Sequence, residues 1–100
     1  QEGFLRWMRA FKDLSEHSGT QIIFLLMTGT SEPLPAPSVR DQFFETTGLR
    51  LITLDRDIHD ELSLNGKRDS SHINKVGRDV LLPWLVAQIE DVCNRDDGCL

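Results

Sequence analysis

The run QIIFLLMT at residues 21–28 is the feature that most constrains how this chain folds. Between Gln21 and Thr28 it is entirely apolar, with no alternation of polar and apolar side chains. A strand with one face in water alternates, whereas a strand covered on both faces, as in a parallel sheet between helices, does not. The run is also far too short to span a membrane. It therefore predicts a buried strand of a parallel sheet and no membrane-spanning segment.

The residues before this strand have a helical pattern. Apolar side chains recur at steps of three and four over residues 3–17, which predicts an amphipathic helix ended by Gly19. We expect its apolar stripe to belong to the core: Phe4, Trp7, Met8, Phe11 and Leu14. After the strand, GTSEPLPAP at 29–37 carries three of the four prolines, which predicts an irregular loop.

A second helix and a second strand follow the loop. Ser38 is placed as a helix N-cap with Asp41 at the capping-box position, and Gly48 is placed to end that helix. LRLITL at 49–54 predicts a strand, and Asp55 stands just past its carboxyl end. The charged segment 56–68 predicts a helical turn followed by a loop.

The last helix is predicted from about residue 74 to residue 93. Asn74 is a suitable N-cap, and Pro83 removes one backbone donor, which predicts a kink. The buried stripe of this helix is predicted to be Val76, Val80, Leu81, Trp84, Leu85, Ile89 and Val92.

The order helix, strand, helix, strand, helix contains one β-α-β unit. Because such crossovers are right-handed, the two strands should be parallel neighbours. Two strands buried on both faces cannot close a core alone, since at least one sheet edge stays open. We therefore interpret residues 1–100 as the carboxyl-terminal part of a single, larger, doubly wound α/β domain that should pair with something.

Charge and cysteine content narrow the class of partner. The net charge is −5, which excludes a typical nucleic-acid-binding surface because phosphate binding needs clustered Lys and Arg. Cys93 and Cys99 can close a short disulfide loop, pair with another chain or remain free thiols. Their presence favours a secreted or extracytoplasmic compartment without deciding it.

An acid and a histidine stand close together just before the last helix, in DSSHINKVG at 69–77. They can be a polar lead-in to a helix capped by Asn74, with an exposed histidine. They can also be catalytic, because a neutral imidazole suits the role of general base and a carboxylate can fix its tautomer. The spacing of Asp69 and His72 allows such a contact through local geometry, and Gly77 permits close backbone approach to the sheet.

This stretch resembles the last sequence block of the SGNH/GDSL hydrolases, in which an acid precedes the catalytic histidine by three residues. The surrounding order of strand, loop, block and helix agrees with that family. The resemblance implies a flavodoxin-like, three-layer doubly wound parallel sheet, of which only the carboxyl-terminal β-α-β half and its flanking helices are present. It also implies that His72 is the general base and that Asp69 orients it, in hydrolysis or transfer of an acyl group from a lipid or carbohydrate ester, without cofactor or metal.

The chain also departs from the family. The nucleophilic serine of a Gly-Asp-Ser block and the glycine and asparagine of the oxyanion hole are not found in it. We therefore expect the chain to be inactive alone. Its expected partner is an amino-terminal segment or chain that carries the serine, or a second copy of itself.

Other functions remain open at this stage. His59 and His72 with Asp55, Asp57 and Asp60 suggest a metal site, although their spacing matches no compact ligand motif. Ser70 and Ser71 stand too close to His72 along the backbone to present a hydroxyl to its ring in the geometry that a nucleophile needs. No glycine-rich phosphate-binding motif occurs in the sequence. A non-catalytic binding or assembly module that uses the open strand edge is the main alternative, and a receiver-like regulatory domain is a more distant one.

Overall fold

The computed structural model describes residues 2–29, 32–66 and 73–96 of the chain. Helices and strands alternate along it in the predicted order. In chain order the elements are α1 (Glu2–Ser18), β1 (Ile23–Leu26), α2 (Ser38–Thr47), β2 (Arg50–Thr53), α3 (Arg56–Glu61), a π-helical turn (Leu62–Gly66) and α4 (Lys75–Asp96). None of the helices within these ranges is long and apolar enough to cross a bilayer.

The two strands form a parallel pair, as predicted. Ile23 lies opposite Arg50 and Leu26 lies opposite Thr53, with α2 as the crossover between the strands. Over the described ranges the sheet has two strands in the order β1-β2. The fold is therefore a mixed helix and strand arrangement compatible with the α/β class, and the described residues do not form a complete doubly wound three-layer sheet.

Strand β1 is less buried than its sequence predicts. Its first three residues are only partly buried, and Leu26 is 42% exposed. The covered face of β1 is the one that carries Phe24, whose ring contacts Phe11 of α1 and Phe43 of α2 at centroid distances of 5.3 and 5.9 Å. Because β1 has a strand neighbour on one side only within the described part of the chain, the two-faced burial typical of a central strand is not reached.

The predicted apolar stripe of α1 is also only partly in the core. Met8 is buried, but Trp7 is 66% exposed, Leu14 is 57% exposed and Phe4 is 47% exposed. A two-stranded sheet is narrower than the apolar face of a 17-residue helix, so part of that face has nothing to pack against. The prediction that the whole stripe is core is therefore wrong for these three residues.

The helix ends test the capping predictions. Gly48 ends α2 with φ of 74°, a left-handed conformation that suits glycine, and its N–H donates to the carbonyl of Phe44. The Ser38 N-cap is wrong: Pro37 takes that position with helical φ and ψ, no side chain caps the helix, and Ser38 is its first residue. Asn74 is a true cap, because its Oδ1 accepts the N–H of Gly77 at 2.9 Å.

Helix α4 runs without interruption through Pro83 and extends beyond the predicted end to Asp96. Leu81 and Val92 are buried as predicted, whereas Val76 and Ile89 are 52% and 39% exposed. The prediction that these two residues are core is therefore wrong, because the elements that pack on α4 cover only part of its apolar face.

The main apolar cluster lies beyond the carboxyl end of β2. Its buried members are Leu54, Leu62 and Leu81, which come from the end of the strand, the π-helical turn and α4. Partly buried side chains pack around it: Leu34, Ile58, Ile73 and Trp84. The core therefore anchors the segments that surround the carboxyl edge of the sheet.

Candidate active site at the carboxyl end of the sheet

The two residues singled out by the sequence lie outside the described residues. Asp69 and His72 fall between Gly66 and Ile73, so their mutual geometry stays a prediction. The structure does describe the strand end, the loop and the helix start that surround this gap.

The first described residue after the gap is Ile73, and it belongs to the core. Its side chain packs against the cluster of Leu54, Leu62 and Leu81. Leu54 directly follows β2, so Ile73 lies close to the carboxyl end of that strand. The next residue, Asn74, caps α4, and Gly77 in the first helical turn is buried.

Asp55 connects two helices at the end of β2. Its Oδ1 accepts the backbone N–H of Ile58 at 2.9 Å, which caps α3. Its Oδ2 accepts the indole N–H of Trp84 in α4 at 3.0 Å. Both carboxylate oxygens of Asp55 are therefore engaged in holding the elements together.

His59 has a position that sequence reasoning did not anticipate. It is buried, with 8% of its surface exposed, and its Nε2 lies 3.1 Å from the carbonyl oxygen of Gly29. Because a carbonyl can only accept, Nε2 carries the proton. Nδ1 is buried without a hydrogen-bond partner among the described residues, and lies 3.6 Å from Oδ1 of Asp60. The spacing could have predicted the burial of His59, because His59 precedes the fully buried Leu62 by about one helical turn and so lies on the same face.

The contact of His59 fixes the start of the proline-rich loop. Gly29 follows β1, and its N–H donates to Oε1 of Glu32 at 2.7 Å, while the N–H of Glu32 donates back to the Gly29 carbonyl at 3.1 Å. That carbonyl thus accepts from two donors. The loop after β1 is therefore tied to α3, which itself is capped by Asp55, the second residue after β2.

A groove opens beside this anchored loop. It has a volume of about 430 Å³ and lies where β2 ends, between the proline-rich loop and the start of α3. Its lining is Leu34, Pro35, Ala36, Pro37, Arg40, Thr53, Leu54, Asp55 and Arg56. In sheets built from parallel strands the carboxyl edge is the usual place for a ligand site.

The described members of the metal set suggested by the sequence, which are His59, Asp55, Asp57 and Asp60, do not form a metal site with one another. Across residues 2–29, 32–66 and 73–96, no group of three or more His, Cys, Asp or Glu side chains converges. The oxygens of Asp55 accept hydrogen bonds from Ile58 and Trp84, and Nε2 of His59 donates to the Gly29 carbonyl.

Cys93 is disulfide-bonded, and the only other cysteine of the chain, Cys99, lies outside the described residues.

Comparisons with protein-family models, with curated proteins and with solved structures found no significant match to this chain.

Proposed function

We propose that this chain supplies the acid–histidine pair of an SGNH/GDSL-type serine esterase or O-acyltransferase. In this proposal residues 1–100 are the carboxyl-terminal part of a flavodoxin-like, doubly wound α/β domain. The serine nucleophile and the oxyanion hole come from an amino-terminal segment or a partner chain. The substrate is an ester-linked acyl group on a lipid or carbohydrate.

The observation that carries the proposal is the packing of Ile73 against the buried cluster that contains Leu54. In the sequence His72 immediately precedes Ile73, and Asp55 immediately follows Leu54. In this proposal His72, one residue before Ile73, acts at the carboxyl edge of the sheet, where α/β enzymes place their reacting groups.

The local structure around the gap is also what the proposed chemistry needs. Asn74 and the buried Gly77 hold the start of α4 against the cluster, and Trp84 ties the same helix to Asp55. A general base acts well only when its ring is held in a fixed orientation. A capped helix packed on the core provides such a support immediately after His72.

The proposed reaction proceeds in two steps. His72 takes the proton of the serine hydroxyl as its oxygen attacks the ester carbonyl, and then gives that proton to the departing alcohol. Water, or the hydroxyl of an acceptor, next attacks the acyl-serine while His72 removes its proton, and the proton returns to the serine oxygen. Asp69 accepts a hydrogen bond from Nδ1 of His72 and stabilises the imidazolium, without itself taking the proton.

The exposed apolar surface supports the need for a partner. Leu26 and Met27, at the end of β1, are 42% and 37% exposed, and Trp7 of α1 is 66% exposed. Within the described residues β1 is paired on one side only, so its other edge can accept a strand. A companion segment that carries the serine would add to this edge and cover these side chains.

The same surface favours a second candidate, a non-catalytic module that assembles through its open strand edge. This candidate needs no role for His72. Sedimentation of the chain as a stable monomer, with no binding of a dye specific for exposed apolar surface, would count against it. It would count equally against the need for a companion segment.

The test of catalysis is hydrolysis of p-nitrophenyl acetate by the protein in which this chain is joined to, or complexed with, its serine-bearing segment. We expect His72→Ala to lower kcat by a factor of about 10³ or more. His17→Ala is the matched control, because His17 is exposed on α1, and we expect it to leave kcat unchanged. Unchanged activity in His72→Ala would refute the proposal. So would the lack of a Gly-Asp-Ser-like block in the companion segment.

A further inference from the structure

We propose that the groove between the proline-rich loop and α3 binds an oxyanion, a carboxylate or phosphate, carried on an apolar chain. The binding groups are the guanidinium groups of Arg40 and Arg56. That this anion is part of an ester substrate rests on the function proposed above, whereas the binding itself does not.

The charges lining the groove are unbalanced. Arg40, on α2, and Arg56, the first residue of α3, both line it, and neither forms an ion pair with a described residue. Asp55 is the acid among the lining residues, and its two oxygens already accept hydrogen bonds from Ile58 and Trp84. The lining therefore carries two cations against one hydrogen-bonded carboxylate, in a chain whose net charge is −5.

Other arginines of the described chain are engaged elsewhere. Arg95 lies 3.0 Å from Asp91, Arg78 lies 3.8 Å from Asp79, and the Arg50 guanidinium stacks 3.9 Å above the Phe44 ring. Arg6 and Arg9 share a separate groove with the acidic Glu2. Arg40 and Arg56 are distinguished by lining a common groove whose one carboxylate, that of Asp55, already accepts two hydrogen bonds.

The chemistry of the lining defines the ligand. A guanidinium group offers a planar fork of N–H donors that matches the two oxygens of a carboxylate or phosphate. The rest of the lining is mainly apolar, with Leu34, Pro35, Pro37 and Leu54. Such a surface suits a hydrocarbon segment next to the charge, so the groove fits an amphiphilic anion better than a free inorganic ion.

The anchoring of the loop keeps these groups in place. The loop that supplies Leu34 and Pro35 begins at Gly29, which His59 and Glu32 hold by hydrogen bonds. The other wall begins at Asp55, which is bound to Trp84. Both sides of the groove are therefore positioned by contacts that do not involve the two arginines.

The experiment is an NMR titration of the ¹⁵N-labelled chain with hexanoate, hexyl phosphate and neutral hexanol. We expect saturable shifts of the amides of Thr53 and Asp55 and of the Trp84 indole with at least one anion, and none with hexanol. The anion that binds more tightly identifies the charged group. In the double variant R40Q/R56Q we expect the dissociation constant to rise about tenfold or more.

Arg78→Gln is the matched control, since Arg78 lies exposed on α4 and does not line the groove. Its dissociation constant should equal that of the unmodified chain. An equal loss of binding in Arg78→Gln, equal shifts with hexanol, or the lack of saturation with either anion would overturn the proposal. His72→Ala should bind the anions normally, so failed catalysis and failed anion binding are separate results.

Discussion

Trp84 donates its indole N–H to Oδ2 of Asp55 across 3.0 Å, which joins the last helix to the carboxyl end of strand β2. Asp55 also caps α3 through the N–H of Ile58. A single carboxylate at the carboxyl end of β2 therefore holds both α3 and α4. Asp55, which the sequence places just past β2, therefore has a structural role in the described residues, because it links α3 and α4 by hydrogen bonds.

Replacing Asp55 with Ala should destabilise the chain. The change removes the α3 cap and the acceptor of the Trp84 indole, which together contribute about 1–2 kcal/mol. Urea denaturation measures the loss as a lower midpoint with an unchanged slope. Asp57→Ala is the control, because Asp57 is exposed in the same helix and caps nothing in the described structure. Equal midpoints for the two variants would show that the two hydrogen bonds of Asp55 contribute no stability.

The buried His59 should contribute more to the free energy of unfolding than the exposed His17. His59→Ala removes a buried ring and one of the two donors to the Gly29 carbonyl, and we expect a loss of about 2–4 kcal/mol in the free energy of unfolding. Hydrogen exchange at the Gly29 amide should also become faster, because the loop loses its tie to α3. His17→Ala removes a local contact to the Asp13 carbonyl and should cost less than about 0.5 kcal/mol. An equal loss of unfolding free energy in both variants would contradict a stabilising role for the contact between His59 and the Gly29 carbonyl.

Two leucines of the π-helical turn test where the core lies. Leu62 is fully buried in the cluster that Ile73 contacts, whereas Leu64 is 78% exposed. Leu62→Ala should cost about 2–5 kcal/mol through lost burial and a residual cavity. Leu64→Ala should change stability by less than about 0.5 kcal/mol. Thermal or urea unfolding distinguishes the two, and similar losses would mean that the core is not centred on this turn.

Local sequence signals predicted the elements well. The unbroken apolar run and the β-α-β order predicted the parallel pairing of β1 with β2, and Gly48 and Asn74 marked helix boundaries correctly. These features depend on neighbours along the chain or on one crossover, so a single sequence carries enough information for them.

Burial was predicted less well, because it depends on what the rest of the fold offers. The stripe of α1 has the correct helical spacing, yet Trp7 is largely exposed since the two described strands form too narrow a sheet. Pro37 displaced Ser38 from the N-cap position because its own backbone is already helical. The role of His59 depends on a hydrogen bond to a residue 30 positions away, which no local pattern encodes.

The candidate site was only partly predictable for a similar reason. The resemblance predicts that Asp69 and His72 form an acid–histidine pair near the carboxyl edge of a parallel sheet, and because both lie outside the described residues this stays a prediction. The groove of Arg40 and Arg56 is lined by residues from the proline-rich loop, α2, the end of β2 and the start of α3, so nothing in the sequence around either arginine indicates it.

The proton position on each histidine ring tests the central claim most directly, because two residues of the chain act as internal references. His17 Nδ1 lies 2.8 Å from the Asp13 carbonyl, so this ring carries its proton on Nδ1. His59 carries its proton on Nε2, which faces the Gly29 carbonyl. ¹⁵N NMR of the neutral imidazoles distinguishes the two tautomers.

If Asp69 orients His72 as a base, neutral His72 should match His17, with its proton on Nδ1 and Nε2 free to accept one. In Asp69→Ala it should move toward the form of His59, whereas Asp57→Ala should leave it unchanged. A neutral His72 with its proton on Nε2 in the unmodified chain, and no response to Asp69→Ala, would contradict the acid–histidine pair on which the proposed function rests.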